Sequence, residues 1–195
     1  MTARAQQALA AAVLALATGS ATALSHDMTN AAGATAGIVG SIYGHELGHA
    51  LAFRLMGASD ITIQVPGEQC RLLCGATRAR LGHPLSADER RWASAAGLLS
   101  ANLTSEALLG RRAVARSGFG QGYLAANLYS NAFHVYSYYT RRVGTDSYAG
   151  NDIDQFEAAG GNPHLLSAAL VGCTLYSLKR MHDRRIPLLF VRIPY

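Results

Sequence analysis

His45-Glu46-Leu47-Gly48-His49 is an H-E-x-x-H pattern within a stretch that reads as a helix. Residues i and i+4 of a helix lie one turn apart on one face. Two imidazoles so placed can share one Zn²⁺ through ring nitrogens at about 2.0–2.1 Å. Glu46, next to the first histidine, is not a ligand in such an arrangement. It can reach a metal-held water and act as general base. The chemistry this spacing supports is peptide-bond hydrolysis. Zinc lowers the pKa of its water towards about 7 and stabilises the oxyanion. The glutamate takes a proton and passes it to the leaving amine.

On a solvated helix the same five letters mean two surface histidines with a glutamate between them. The flanks here argue for burial: Ile38, Val39, Ile42 and Tyr43 precede the pattern, and Ala50, Leu51, Ala52 and Phe53 follow it. Buried among such neighbours, two imidazoles and a carboxylate are costly unless partnered. A cation and its water supply the partners, so Zn²⁺ is the expected cofactor. A catalytic zinc needs a third protein ligand and one position left for water. Asp152 and Asp154, in the polar segment GNDIDQF, lead the candidates. Asp152 is preferred because Asn151-Asp152 sits where a helix would begin and could point back into a bundle. Glu106 and His134 are rivals. The plainer roles are a helix cap for Asp152 and a solvated loop acid for Asp154.

The elements that must carry these groups are helical. The chain has 195 residues, enough for one domain. Charged residues make up 15%, well under the roughly 25% of an ordinary soluble domain. Low charge and high apolar content argue against disorder, and three cysteines are too few for a disulfide scaffold. The net charge of +5 does not signal nucleic acid. The basic residues sit in pairs at the ends of apolar stretches, at Arg90-Arg91, Arg111-Arg112, Arg141-Arg142 and Lys179-Arg180, as they do around membrane helices.

Residues 1–25, with Ala21-Thr22-Ala23 near their end as a candidate cleavage site, read as a signal peptide or N-terminal membrane anchor. Helices are expected over about 28–57, 90–110, 121–140 and 163–179. Gly40, Gly44, Gly48 and Ala52 recur every fourth position, a stripe that lets a neighbouring helix approach closely. Between the first two helices, DITIQV and CRLLCGATRA can pair as a β-hairpin across Pro66-Gly67. An edge strand of that hairpin could clamp a substrate by strand addition. Cys70 and Cys74 can pair there if the segment is exported. Ser86 and Glu89 form a capping-box pattern ahead of the second helix. The four helices are long enough to span a bilayer. Asn102, Glu106, Asn127, Asn131 and His134 would then have to converge inside the bundle, away from lipid.

YGHELGHALAFRLMG resembles the active-site helix of the site-2 protease family of intramembrane zinc metalloproteases. The resemblance implies His45 and His49 as ligands, Glu46 as the base and an Asp of GNDID as third ligand. SAAGLLSANL resembles that family's Ala-Gly-Pro-x-x-Asn helix, with Gly97 and Asn102 in the matching roles. Leu98 stands in place of the Pro, and Asn102 lies one position further along. Asn127 or Asn131 stands for the Asn of the family's Asn-x-x-Pro…Leu-Asp-Gly pattern, though no Pro follows and Asp152 precedes Ile153. The resemblance covers about residues 35–155.

The expectation is therefore a mainly α, multi-pass membrane bundle of about four helices with a small β-hairpin between helices 1 and 2. Residues 26–195 would form the metallopeptidase domain, in a bacterial inner membrane. The partners would be a peptide or membrane-protein substrate and the lipid bilayer, with no nucleic acid. Two alternatives stand beside it: a soluble exported zinc metallopeptidase and a non-catalytic metal-binding membrane protein.

Overall fold

The computed structural model describes residues 24–65, 74–141 and 151–187. Helix α1 spans Leu24–Leu55. Strands β1 (Ile61–Gln64) and β2 (Ala76–Ala79) follow, then α2 (Ala87–Gly110), α3 (Arg112–Arg116), α4 (Gly118–Arg141), α5 (Asp152–Ala158) and α6 (Pro163–Asp183). The described residues are mainly helical, with four long helices and one hairpin between the first two of these. Helix α3 was not expected, and α5 begins at Asn151-Asp152, where a helix start was expected but given no extent. At five and seven residues they are too short to show a helical period. Segment 1–23, the Pro66-Gly67 turn and Cys70 lie outside the described residues. Cys74 is disulfide-bonded.

Local signals set the boundaries. The Ser86 hydroxyl accepts from the Glu89 amide at 3.2 Å, and the Ser86 amide donates to the Glu89 carboxylate at 2.8 Å. That reciprocal pair satisfies two orphan donors and starts α2. Helix α6 starts on Asn162, whose side-chain oxygen accepts from the amides of His164 and Leu165, with Pro163 in the first turn. The strands pair antiparallel, Ile61 opposite Ala79 and Ile63 opposite Thr77.

Helix α1 packs between α4 and α2, and glycines set the spacing. A Cβ added at Gly37 would lie 2.0 Å from the Phe119 carbonyl oxygen of α4. One added at Gly48 would lie 2.4 Å from the Ala96 carbonyl oxygen of α2. Gly40 and Gly44 instead face the side chains of Phe119 and Tyr123. The expected stripe therefore serves two partners. At about 100° per residue, each four-residue step advances about 40° around the helix, so a period-four stripe winds from α4 towards α2.

The interior is unusually polar. Two small apolar clusters, Leu109-Ala115-Leu124-Met181-Ile186 and Leu98-Tyr138-Ile153-Leu170, anchor the helices. Ser41, Glu46, Asn102, Asn127, Asn131, His134, Asn151 and Asp152 are buried beside them. The outside is apolar: Val39, Tyr43, Leu47, Leu51 and Leu55 lie exposed along α1, Trp92, Leu99 and Leu103 along α2, and Leu165, Leu175 and Tyr176 along α6. Among the described residues no helix is long and apolar enough to cross a membrane. The expectation of four spans is not met by that measure. Its physical reason is the inward faces, where Ser, Asn, Glu and His lower the mean hydropathy of helices whose outer faces are Leu, Val and Tyr.

Candidate metal centre

His45 and His49 project from one face of α1, one turn apart. The His49 Nδ1–H donates to the Ala93 carbonyl of α2 at 2.7 Å. That bond fixes the ring and turns the Nε2 lone pair inward, as in metal-binding histidines. The His45 and His49 Nε2 atoms lie 3.1 Å apart. Asp152 Oδ2 lies 3.0 Å from His45 Nε2 and 3.5 Å from His49 Nε2. These three atoms form a near-equilateral triangle.

Asp152 reaches this point because of its neighbour. Asn151 is fully buried and caps α5, its oxygen accepting from the Ile153 amide at 2.9 Å. Its amide donates to the His134 carbonyl at 3.1 Å and the Ser137 hydroxyl at 2.7 Å. The start of α5 is thereby fastened to α4, and the next residue points at the imidazoles. Gly97 of α2 makes the room: a Cβ there would lie 2.3 Å from His49 Nε2 and 2.7 Å from His45 Nε2.

The triangle fits a cation. Asp152 Oδ2 is buried against the ring nitrogens and has no other hydrogen-bond partner among the described residues. Two nitrogens with inward lone pairs repel at 3.1 Å unless a proton or cation lies between them. A tetrahedral ion with bonds of about 2.0–2.1 Å has donor–donor edges of about 3.3–3.4 Å, close to the observed spacing. Burial acts to raise the Asp152 pKa. The positive charge of His49, with the hydrogen bond and charge of His45, outweighs it and holds the carboxyl below the usual carboxylate range.

His45, His49 and Asp152 form a group able to hold a metal ion, with ligand atoms all within 4.8 Å of one another. The other candidates lie elsewhere. Glu106 accepts from the Ser177 hydroxyl at 3.0 Å and pairs with Arg180, tying α2 to α6. Asp154 is partly buried on α5 and is not part of the group. His134 stacks on His45 with ring centroids 5.7 Å apart, and its Nε2 is 4.0 Å from Asp152 Oδ2. Its Nδ1–H donates to the Asn151 oxygen at 3.2 Å, so it supports Asp152 from behind. Asn102, matched by resemblance to a family asparagine, bonds Asn131 at 2.9 and 3.1 Å and Asn127 at 3.2 Å. Asn131 also donates to Thr174 at 3.2 Å, so this network joins α2, α4 and α6.

Glu46 is buried and faces the hairpin. The Thr77 hydroxyl of β2 lies 2.8 Å from Glu46 Oε2 and 2.9 Å from the Glu46 carbonyl oxygen. It has one proton to share between them. A Cβ at Gly75 would lie 2.2 Å from Glu46 Cγ and 2.7 Å from Oε1. Sequence reading did not identify Thr77 or Gly75. Their only signal was membership of the hairpin, since contacts across 31 residues leave no local pattern. Comparison with protein-family models, curated proteins and solved structures finds no match.

Proposed function

We propose that the chain is a site-2 protease-like zinc peptidase that cuts peptide or membrane-protein substrates within or at a membrane. The observation that carries this reading is the His45-His49-Asp152 group, its histidines partly buried and its aspartate buried, with the buried Glu46 carboxylate on the adjoining helix position. In this reading His45, His49 and Asp152 hold the ion. Two neutral imidazoles and one carboxylate leave it a net positive charge. Bound zinc supplies a water of lowered pKa and a polarised scissile carbonyl. Glu46 takes the proton released there and returns it to the leaving amine. Asn151 and Ala93 keep Asp152 and His49 aimed at the ion.

The membrane part of the reading rests on the inverted surface. Exposed leucine, valine and aromatic faces on α1, α2 and α6 surround a polar interior. Such contiguous apolar surface marks a contact with lipid or with another protein, and intramembrane polar groups face inward. The multi-pass arrangement in a bacterial inner membrane belongs to this proposal. The hairpin, seated beside Glu46, is the element that would take an extended substrate by strand addition.

Metal removal tests the reading directly. Detergent-purified protein should carry about one zinc per chain. It should hydrolyse fluorescent casein, lose that activity with 1,10-phenanthroline and regain it with Zn²⁺. Hydrolysis that survives metal removal excludes the mechanism, and zinc binding without hydrolysis leaves a non-catalytic metal protein. Fractionation tests the location. The chain should stay with membranes through an alkaline carbonate wash, and release without detergent would leave a soluble exported peptidase.

A further inference from the structure

The geometry points to Thr77 as the positioning residue of Glu46, with Gly75 leaving room for the glutamate side chain to lie against the hairpin. This deepens the proposed hydrolase and rests on it. The glutamate side chain has three rotatable bonds, so its carboxylate must be anchored to act at one place. Among the described residues the anchor is the Thr77 hydroxyl, 2.8 Å from Oε2. Thr77 is held by the β1–β2 ladder opposite Ile63, and a β-branched side chain has few χ1 positions. Its second contact, 2.9 Å to the Glu46 carbonyl, ties the hydroxyl to the backbone of the residue it positions. The strand is thus fixed to the metal-binding helix at the catalytic glutamate.

The two carboxylate oxygens therefore differ. Oε2 is engaged by Thr77, and Oε1 is left for proton transfer. Beside Oε1 the hairpin carries a glycine, where an added Cβ would stand 2.7 Å from that oxygen and 2.2 Å from Cγ. Any other residue at Gly75 would collide with the Glu46 side chain and push the carboxylate off its anchor. The hairpin is more than a candidate edge for substrate: it holds the carboxylate of the base in place.

The test uses the full zinc-loaded chain in detergent with fluorescent casein as probe, comparing wild type, Glu46→Gln, Thr77→Val and Thr77→Ser. Thr77→Val keeps the shape and removes the hydroxyl. It should lower kcat by about 10–100-fold, the scale of a misplaced catalytic group, with KM and zinc content unchanged. Thr77→Ser restores the hydroxyl and should recover most of kcat. Wild-type kcat in Thr77→Val, or a loss confined to KM, overturns the assignment while the hydrolase stands on the Glu46→Gln arm. A serine variant as slow as the valine variant also overturns it. Equal rates for wild type and Glu46→Gln overturn the hydrolase and the Thr77 assignment together.

Discussion

Glu46→Gln is expected to reduce casein turnover by about 10²–10⁴-fold, the usual contribution of general acid–base catalysis, while zinc stays at the wild-type level. The two halves of this result have separate causes. Glutamine matches glutamate in size and keeps an oxygen to accept from Thr77, so the fit against Gly75 and the hairpin survives. It lacks a basic carboxylate and cannot take the proton. The group able to hold an ion is His45, His49 and Asp152, and it does not include Glu46. Metal analysis beside steady-state kinetics reads both halves. Zinc lost together with activity would make Glu46 a support of the metal site, and an unchanged rate would remove it from the chemistry.

The part of this site that was legible in the sequence is the part made by short-range geometry. His45 and His49 share a face because they are four residues apart, whatever surrounds them. Asp152 stood out because Asn151-Asp152 sits where a helix would begin and could point back into a bundle; α5 does begin there, with Asn151 and not Asp152 as its cap. The capping box at Ser86 was visible for the same reason. Contacts that cross the fold were not visible. Glu106 looked like a ligand candidate until Arg180, 74 residues later, was seen to pair with it. The glycine stripe suggested one partner helix, whereas its slow winding gives it two. Thr77 and Gly75 had nothing local to distinguish them from other hairpin residues.

The same limit applies to the membrane question. Mean hydropathy adds the two faces of a helix together and loses the difference between them. In α1 the exposed positions Val39, Tyr43, Leu47 and Leu51 alternate with the buried positions Ser41, Glu46 and Gly48. On the proposed reading, water chemistry inside an apolar shell would need both faces, and helices carrying such a site would read as only moderately apolar.

Asp152→Ala is expected to abolish stable zinc binding, with affinity falling by more than the roughly 10–100-fold that loss of an outer partner costs. His49→Ala should do the same. The acid contributes the only negative charge in the group, so removing it leaves two imidazoles to hold a dication alone. The fold should tolerate the change, because Asn151 caps α5 through its own side chain and fastens it to His134 and Ser137. The controls separate a ligand from a nearby acid. Asp154→Ala should keep zinc, since that residue lies outside the group on the same short helix. Glu106→Ala should also keep zinc while lowering stability by about 1–3 kcal/mol, because it strands the partly buried Arg180 guanidinium and the Ser177 hydroxyl. Zinc titration by competition with a chromophoric chelator, beside thermal unfolding of each variant, measures both quantities. Wild-type affinity in Asp152→Ala, or loss of zinc in Asp154→Ala with Asp152 intact, would move the third ligand and with it the geometry of the centre.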